Sequence, residues 1–589
     1  MSKTVIIGGV AGGASCAARL RRLDGERDII ILERGEYISY ANCGLPYHVG
    51  DVIRSRKALL LMTPERMKDR FNIEVRTKNE VTAIDREAKT VTVRDLAGGR
   101  EYTEPYDDLV IATGSSPLRP RIPGIDSDLI RTLWTVPDTD QIRGLVQEEG
   151  IRSAALIGGG FIGLEMAENL RHVGLKVTII EALDQVMAPL DFEMAQLLHQ
   201  NIRENGVDLR LADAVESFEE TGPQAAQGGS LQATESEPQA GQAEALEEIQ
   251  KGRKQVTVHL KSGAAVTADL VILSIGVRPN SMLAKEAGLA LNQRGGIIVD
   301  EHMRTEDPHI YAVGDVIEVE DLVFGDRTMV PLAGPANKQG RIAADNLAGG
   351  DAVYRGTQGS SVAKVFDLTA ASTGANEKTL IRRGLVKNTD YRSLIITQNS
   401  HAGYYPGATP MTIKMLFSMD GKKIFGAQIV GREGVDKRID TIGVAMRLGA
   451  GVQQLKELEL AYAPPYSSAK DPVNMLGFVA ENLLAGRVNI AEWDEPDTNK
   501  EAVFLDVREE LEQLNYRVPN AVPLPLSQLR ERINELDPNK RHIILCGMGV
   551  RAYVTQRILA QNGFKDLAIY PGGTRFYQSL HDPKATAKA

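Results

Sequence analysis

Two of the three cysteines in this 589-residue chain stand where a thiol can react. Cys43 lies in Ser39-Tyr40-Ala41-Asn42-Cys43-Gly44-Leu45-Pro46, among glycine and polar neighbours that a structural core thiol does not need. Five residues on, position 48 is His48 and not a second cysteine, so Cys43 has no neighbouring thiol with which to form an internal dithiol. A lone thiol there must form a mixed disulfide, a persulfide or a sulfenic acid with an external partner. Cys546 opens Cys546-Gly547-Met548-Gly549-Val550-Arg551, between the apolar run HIILC and the helix-period run AYVTQRILAQNG. Backbone NH groups at such a helix start point at the thiol, lower its pKa and can cradle a terminal persulfide, while Arg551 can attract an anionic sulfur donor. Cys16, among the small residues ASCAA of a helical segment, reads as packing. Three cysteines exclude a disulfide scaffold; no metal site is expected, and the chain reads as cytoplasmic.

The elements that must position these thiols repeat one grammar. Residues 4–33 and 153–181 each run strand, glycine turn, helix, strand and terminal acid, as βαβ units in parallel sheets do. In the second, Gly158-Gly159-Gly160-Phe161-Ile162-Gly163 is a complete GxGxxG. Gly158 makes the tight turn, Gly160 admits a pyrophosphate to the backbone and Gly163 lets helix pack on strand. Glu181 ends the next strand, where a carboxylate accepts from a ribose 2′-OH and repels a 2′-phosphate, so NADH is favoured over NADPH. The first turn, Gly8-Gly9-Val10-Ala11-Gly12-Gly13, has Val10 at the middle-glycine position. Gly8, Gly9, Ala11 and Gly12 are its candidate nucleotide contacts, with Glu33 at the following strand end, Thr113 and Gly114 in ATGSSP, and Asp315 in YAVGD. Two such folds imply two nucleotides, normally FAD in the first and a nicotinamide nucleotide in the second, which would bring Cys43 near the flavin ring.

Composition bounds the rest. Hydrophobic residues make up 43% and charged ones 25%, ordinary for a globular protein and enough for several cores. No run approaches the ~20 apolar residues of a membrane span, and the chain enters a strand at once, so neither a membrane anchor nor a signal peptide is expected. Lys and Arg number 68 against 78 Asp and Glu, a net charge of −10 that argues against nucleic acid as a partner. The fold class expected is α/β: two Rossmann-like dinucleotide-binding domains, an α+β domain and a C-terminal α/β domain. The boundaries are 1–120 with 282–349 for FAD, 121–281 for NAD, 350–486 for the α+β domain, 487–501 as a polar linker and 502–589 for the last domain. Residues 221–252, rich in Gln, Ala, Glu and Gly, offer little to bury and are expected to be a flexible insertion.

Residues 1 to about 485 resemble the coenzyme A-disulfide reductase branch of the pyridine nucleotide-disulfide oxidoreductases, through GGVAGGAS, SYANCGLPY, ATGSSP, GGGFIGLE, GVRPN, YAVGD, HAGYYPGA and AYAPPYSSAKDPVN. From about 500 onward the chain is similar to a rhodanese domain, through LDVRE, CGMGVRA and YPGG. The joint pattern resembles coenzyme A-disulfide reductase–rhodanese fusions, including NADH-dependent persulfide reductases. It implies that the α+β domain is a dimerisation domain and that the C-terminal α/β domain is rhodanese-like. The resemblance implies that Cys43 is the redox thiol and that coenzyme A contacts fall on Ser15, Arg19, Arg22, Ser39, Asn42 and Lys470. Arg19 and Arg22 share one helix face and suit its phosphates. A family histidine contact falls on Asn337. Two tyrosines from a partner subunit are implied over the thiol, Tyr462 and either Tyr404 or Tyr405, with Tyr404 preferred; their hydroxyls would donate to a departing thiolate.

What the resemblance implies is a homodimeric FAD- and NADH-dependent reductase of coenzyme A persulfide, polysulfide or coenzyme A disulfide. Its site is shared between subunits, and Cys546 feeds it sulfane sulfur. An NADH oxidase or peroxidase cycling Cys43 through sulfenic acid is the nearer alternative. A sulfur carrier or redox sensor is the alternative of another class.

Overall fold

The computed structural model describes residues 2–147, 151–222 and 254–581. It divides into two compact units, Met1–Leu183 with Arg210–Thr357, and Asp184–Leu209 with Gln358–Ala589.

In the first unit the runs TVII and DIIIL become adjacent parallel strands, because β-branched side chains on both faces need cover on both faces. The sheet runs in the order Ile310–Ala312, Asp108–Ile111, Lys3–Ile7, Asp28–Glu33, Glu74–Thr77, every neighbouring pair parallel. Helix Ala11–Leu23 packs against helix Ala333–Leu347. Cys16 is fully buried in the core below them, and that burial pushes its thiol up to about 12, as a packing residue's would be. A second parallel sheet holds Lys176–Ile180, Ser153–Ile157, Leu270–Leu273 and Ile130–Thr132 in that order. Beside it, Val215–Thr221, Gln255–Leu260 and Ala265–Ala268 form an antiparallel ladder with Thr221 opposite Gln255. From residue 223 onward the 221–252 stretch lies outside the described residues.

The second unit is built on an antiparallel sheet in the order Ser361–Val365, Leu368–Gly374, Ile424–Gly431, Pro410–Ser418, Tyr391–Asn399. Helices Val435–Arg447 and Pro472–Leu484 cover its core. Lys414, 1% exposed, carries a buried charge there, and its Nζ lies 2.9 Å from Asp191 and 2.5 Å from each of Glu193 and Glu377. These carboxylates have a spacing that would suit a metal ion, and the ammonium holds the place a cation would take. The contact ties helix Phe192–Glu204 to the sheet.

A parallel sheet in the order Val522–Pro523, Val503–Asp506, His542–Leu545, Leu567–Ile569 completes the unit. Residues 487–501, expected as a linker, have order of their own. Val488 is buried in the core of this sheet, Ile490 bridges Ile569, and the Trp493 carbonyl accepts from the Tyr570 hydroxyl at 3.0 Å. Isolated apolar residues in a polar string are enough to add an edge, which average composition does not reveal. The observed class is α/β with two Rossmann-like sheets, an antiparallel-sheet domain and a C-terminal α/β domain, as expected. Among the described residues no helix is long and apolar enough to cross a membrane.

Candidate active site

The two glycine turns are built alike. Gly8 and Gly158 have φ of +101° and +106°, which a side chain disfavours, and each leads into a helix, Ala11–Leu23 or Phe161–His172. Glu33 accepts from Gly9 N at 2.8 Å and Gly35 N at 2.7 Å. Glu181 accepts from Gly159 N at 2.7 Å and Leu183 N at 2.9 Å. Both acids are therefore held at the turn, where a ribose would meet them. Open space surrounds the Cβ position of Gly160, so nothing obstructs a pyrophosphate at that helix start. These features fit a dinucleotide at each turn. The close-packing glycine of the first turn is Gly13: a Cβ there would lie 1.9 Å from Gly8 O, as one on Gly163 would lie 2.1 Å from Gly158 O. Gly12 faces Val313 instead, and the offset of Gly13 from Gly8 matches that of Gly163 from Gly158. Thr113 donates to Asn280 O at 2.8 Å. Gly114 has φ +63° with open space at its Cβ position. Asp315 accepts from Ser115 at 2.8 Å, and burial pushes its carboxyl up.

Cys43 sits exposed in the short turn Asn42–Gly44, followed by helix Leu45–Val49. Partial enclosure of its sulfur, reinforced by Glu165 and Asp315, pushes the thiol up. His48, at the second-cysteine position, is buried with Nδ1 2.5 Å from Ile53 O. Two neighbours escaped the sequence reading. Burial and Glu168 push the Glu165 carboxyl up to about 7, and burial and Glu165 push the Tyr47 hydroxyl up to about 12. Both stand inside motifs already quoted, GGGFIGLE and SYANCGLPY, which was the available signal.

Ser15, Arg19 and Arg22 line one side of helix Ala11–Leu23. Ser15 donates to Asn337 Oδ1 at 2.5 Å, so the residue at the family's histidine position contacts a predicted ligand residue. Arg19 pairs with Asp345 at 2.6 Å and Arg22 is exposed. Ser39 has φ +43° and its amide donates to Gly9 O at 2.8 Å, placing it against the first glycine turn.

In the second unit the hydroxyls of Tyr404 and Tyr462 are 2.6 Å apart, and that contact pushes the Tyr462 hydroxyl up. Tyr405 instead packs edge-on against His401. Tyr404 is 75% exposed and Lys470 is exposed as well. Arg438, 1% exposed, anchors both loops from beneath. It donates to Ser400 O at 2.8 Å, Ser467 Oγ at 3.1 Å and Asp471 Oδ2 at 3.0 Å. Ala402 N donates to Ser467 O at 2.9 Å and joins the loops directly.

The buried Cys546 Sγ accepts from Gly549 N at 3.0 Å, where helix Val550–Gln561 begins. Behind the loop, a Cβ on Gly573 would meet Gly547 O at 2.4 Å, which explains the YPGG motif. Buried Asp506 and Arg508 of LDVRE pair at 2.6 Å. Arg551, expected to face an anion, is engaged by Glu512 at 2.5 and 2.7 Å.

Residues 2–340 match the family described as pyridine nucleotide-disulphide oxidoreductase, more than half of the chain. The chain belongs to that family. This oxidoreductase also matches the family's dimerisation domain over residues 360–472 and a rhodanese-like domain over residues 491–579. It is 35% identical over 482 residues, 82% of its length and 100% of the relative's, to a coenzyme A disulfide reductase of Staphylococcus aureus. The crystal structure of reduced Bacillus anthracis CoADR-RHD superposes with a TM-score of 0.89 at 46% identity, covering 98% of each chain. That of a NAD-dependent persulfide reductase from A. fulgidus gives 0.86 at 37% identity, covering 98% of this chain and 100% of the other.

Proposed function

We propose that this oxidoreductase is a homodimeric NADH-dependent reductase of coenzyme A persulfide, polysulfide or coenzyme A disulfide, with an attached sulfurtransferase. The observation that carries the reading is the pair of single thiols: Cys43 in the first unit, after a dinucleotide turn, and Cys546 in the second, on a loop of NH donors. FAD held at the Gly8 turn would relay two electrons from NADH held at the Gly158 turn to the sulfur at Cys43. With a persulfide the balance is CoA–S–SH + NADH → CoA–SH + HS⁻ + NAD⁺. Cys43 attacks the S–S bond, and with no second cysteine the departing sulfur must be received by other donors. The Tyr404–Tyr462 pair supports such a role, since it presents two hydroxyls from an exposed surface of the dimerisation domain, as a subunit donating to its partner's thiol would. Ser15, Arg19, Arg22, Ser39, Asn42 and Lys470 are the side chains assigned to coenzyme A. Three unpaired cysteines support a cytoplasmic setting.

The experiment is a pair of variants. Cys43→Ser abolishes NADH-linked reduction of a small coenzyme A persulfide, while Cys546→Ser spares it and removes sulfur transfer through the rhodanese loop. Wild-type turnover in the first, or loss of the small-persulfide reaction in the second, refutes the two-site reading.

A further inference from the structure

The loop around Cys546 carries one cation, and a carboxylate already occupies it. Arg551 directs Nη1 at Glu512 Oε2, 2.5 Å away, and Nη2 at Oε1, 2.7 Å away, the bidentate fork that an oxyanion ligand would otherwise receive. Glu512 is held from its other side by a reciprocal cap: Glu509 N donates to Glu512 Oε2 at 3.2 Å, and the Glu509 side chain accepts from Glu512 N. A Cβ on Gly547, the residue after the cysteine, would lie 3.3 Å from Arg551 Nη2 and 3.8 Å from Glu512 Oε1. The carboxylate therefore stands beside the reacting loop. Glu509 acts electrostatically on Arg551 as well, and Arg508, which acts on Glu512, is paired with buried Asp506. Two carboxylates, Glu512 and Glu509, thus stand against the guanidinium of Arg551 beside the loop.

We infer that Glu512 is a specificity-determining residue of the sulfurtransferase site, closing Arg551 to small dianionic donors such as thiosulfate and leaving the loop to thiol-borne persulfides. The inference rests on the reading of Cys546 as a sulfur acceptor. With a persulfide, Cys–S⁻ + RS–SH → Cys–S–SH + RS⁻: the Cys546–S bond forms, the RS–S bond breaks, the outer sulfur keeps its proton and one negative charge is present throughout. With thiosulfate, Cys–S⁻ + S–SO₃²⁻ → Cys–S–S⁻ + SO₃²⁻ gathers three negative charges beside Glu512. Like charges in a partly desolvated site are a selective penalty, and a carrier whose charges sit at the far end of a long arm escapes it.

The test uses the full-length holoprotein without NADH. Transfer from thiosulfate and from glutathione persulfide is followed as thiocyanate formed from cyanide, with Cys546→Ser as background. Glu512→Gln removes the charge and keeps a side chain that can cap its helix. It is expected to raise kcat/KM for thiosulfate about tenfold, chiefly through KM, and to leave the persulfide within about threefold. For the wild type, added salt should raise thiosulfate transfer by screening the two carboxylates. Unchanged thiosulfate transfer in Glu512→Gln, or an equal loss with both donors, overturns the inference. If the variant does not fold, as read by flavin content and NADH-linked reduction, a flat or falling salt response in the wild type overturns it instead. A wild type that transfers from neither donor above the Cys546→Ser background overturns the sulfurtransferase reading, and this inference with it.

Discussion

Glu181 acts at the scale of one carboxylate, since backbone amides on both sides of it hold its oxygens at the turn where a 2′-phosphate would arrive. The holoenzyme is expected to use NADH with roughly hundredfold higher kcat/KM than NADPH, from the cost of juxtaposed like charges. Steady-state kinetics with both nucleotides checks this, and a preference for NADPH refutes the assignment. Around Cys43 the sign of the electrostatics is equally definite. Glu165, at about 7, is ionised in the alkaline range where a raised thiol titrates, so its charge opposes the thiolate. Glu165→Gln should therefore lower the thiol pKa and speed alkylation of Cys43 at pH 8 roughly threefold, measured as iodoacetamide rates across pH. The two candidate thiols were legible because cysteine is scarce here and each sits in a glycine-bearing segment. Glu165, Tyr47 and Glu512 were not, because their properties come from enclosure and from partners remote in the chain: Glu512 meets Arg551 across 39 positions.

Between residues and domains, one buried side chain governs two loops. Arg438 holds the segments carrying Tyr404 and Tyr462, and its removal would leave Asp471 as an uncompensated buried charge. Arg438→Met should cost about 3–5 kcal/mol of stability. Arg438→Lys should retain the fold while lowering kcat more than it changes the KM for NADH; melting curves and kinetics separate the two effects. The ladder end at Thr221 and Gln255 offers a different test. Removing residues 223–253 would join Gly222 to Lys254 as a two-residue turn with glycine at its first position, the arrangement a type II′ hairpin prefers. Flavin content and NADH-linked activity should persist with stability changed by about 1 kcal/mol or less, and a protein that loses flavin refutes this. Elements were legible where their signal is local: β-branched runs, glycine turns and acidic strand ends fall within one βαβ unit. The ordering of 487–501 was hidden because two apolar residues, Val488 and Ile490, act against a polar average. The Lys414 cluster was hidden because its carboxylates come from segments far apart in the chain.

For the molecule as a whole, sequence order reads as a string of separable parts, and the S. aureus relative is matched over its full length by 82% of this chain. Packing within the second unit tells against separability. Thr397, in the edge strand of the antiparallel sheet, donates to Gly572 O at 2.7 Å. Helix Phe192–Glu204 lies against the terminal helix Gly573–His581, with Phe192 6.0 Å from Trp493 between ring centroids. Leu483, near the end of helix Pro472–Leu484, packs on the core of the C-terminal sheet. Cutting the chain after residue 487 would thus uncover a packed face: Thr397 would lose Gly572, Phe192 would lose Trp493, and Leu483 would lose the core of the C-terminal sheet. Such a fragment should self-associate, read by light scattering against the full chain, and a monodisperse dimer would refute the prediction. The C-terminal sheet is part of the unit it packs in, so the boundary read along the sequence is not a line at which the second unit can be divided.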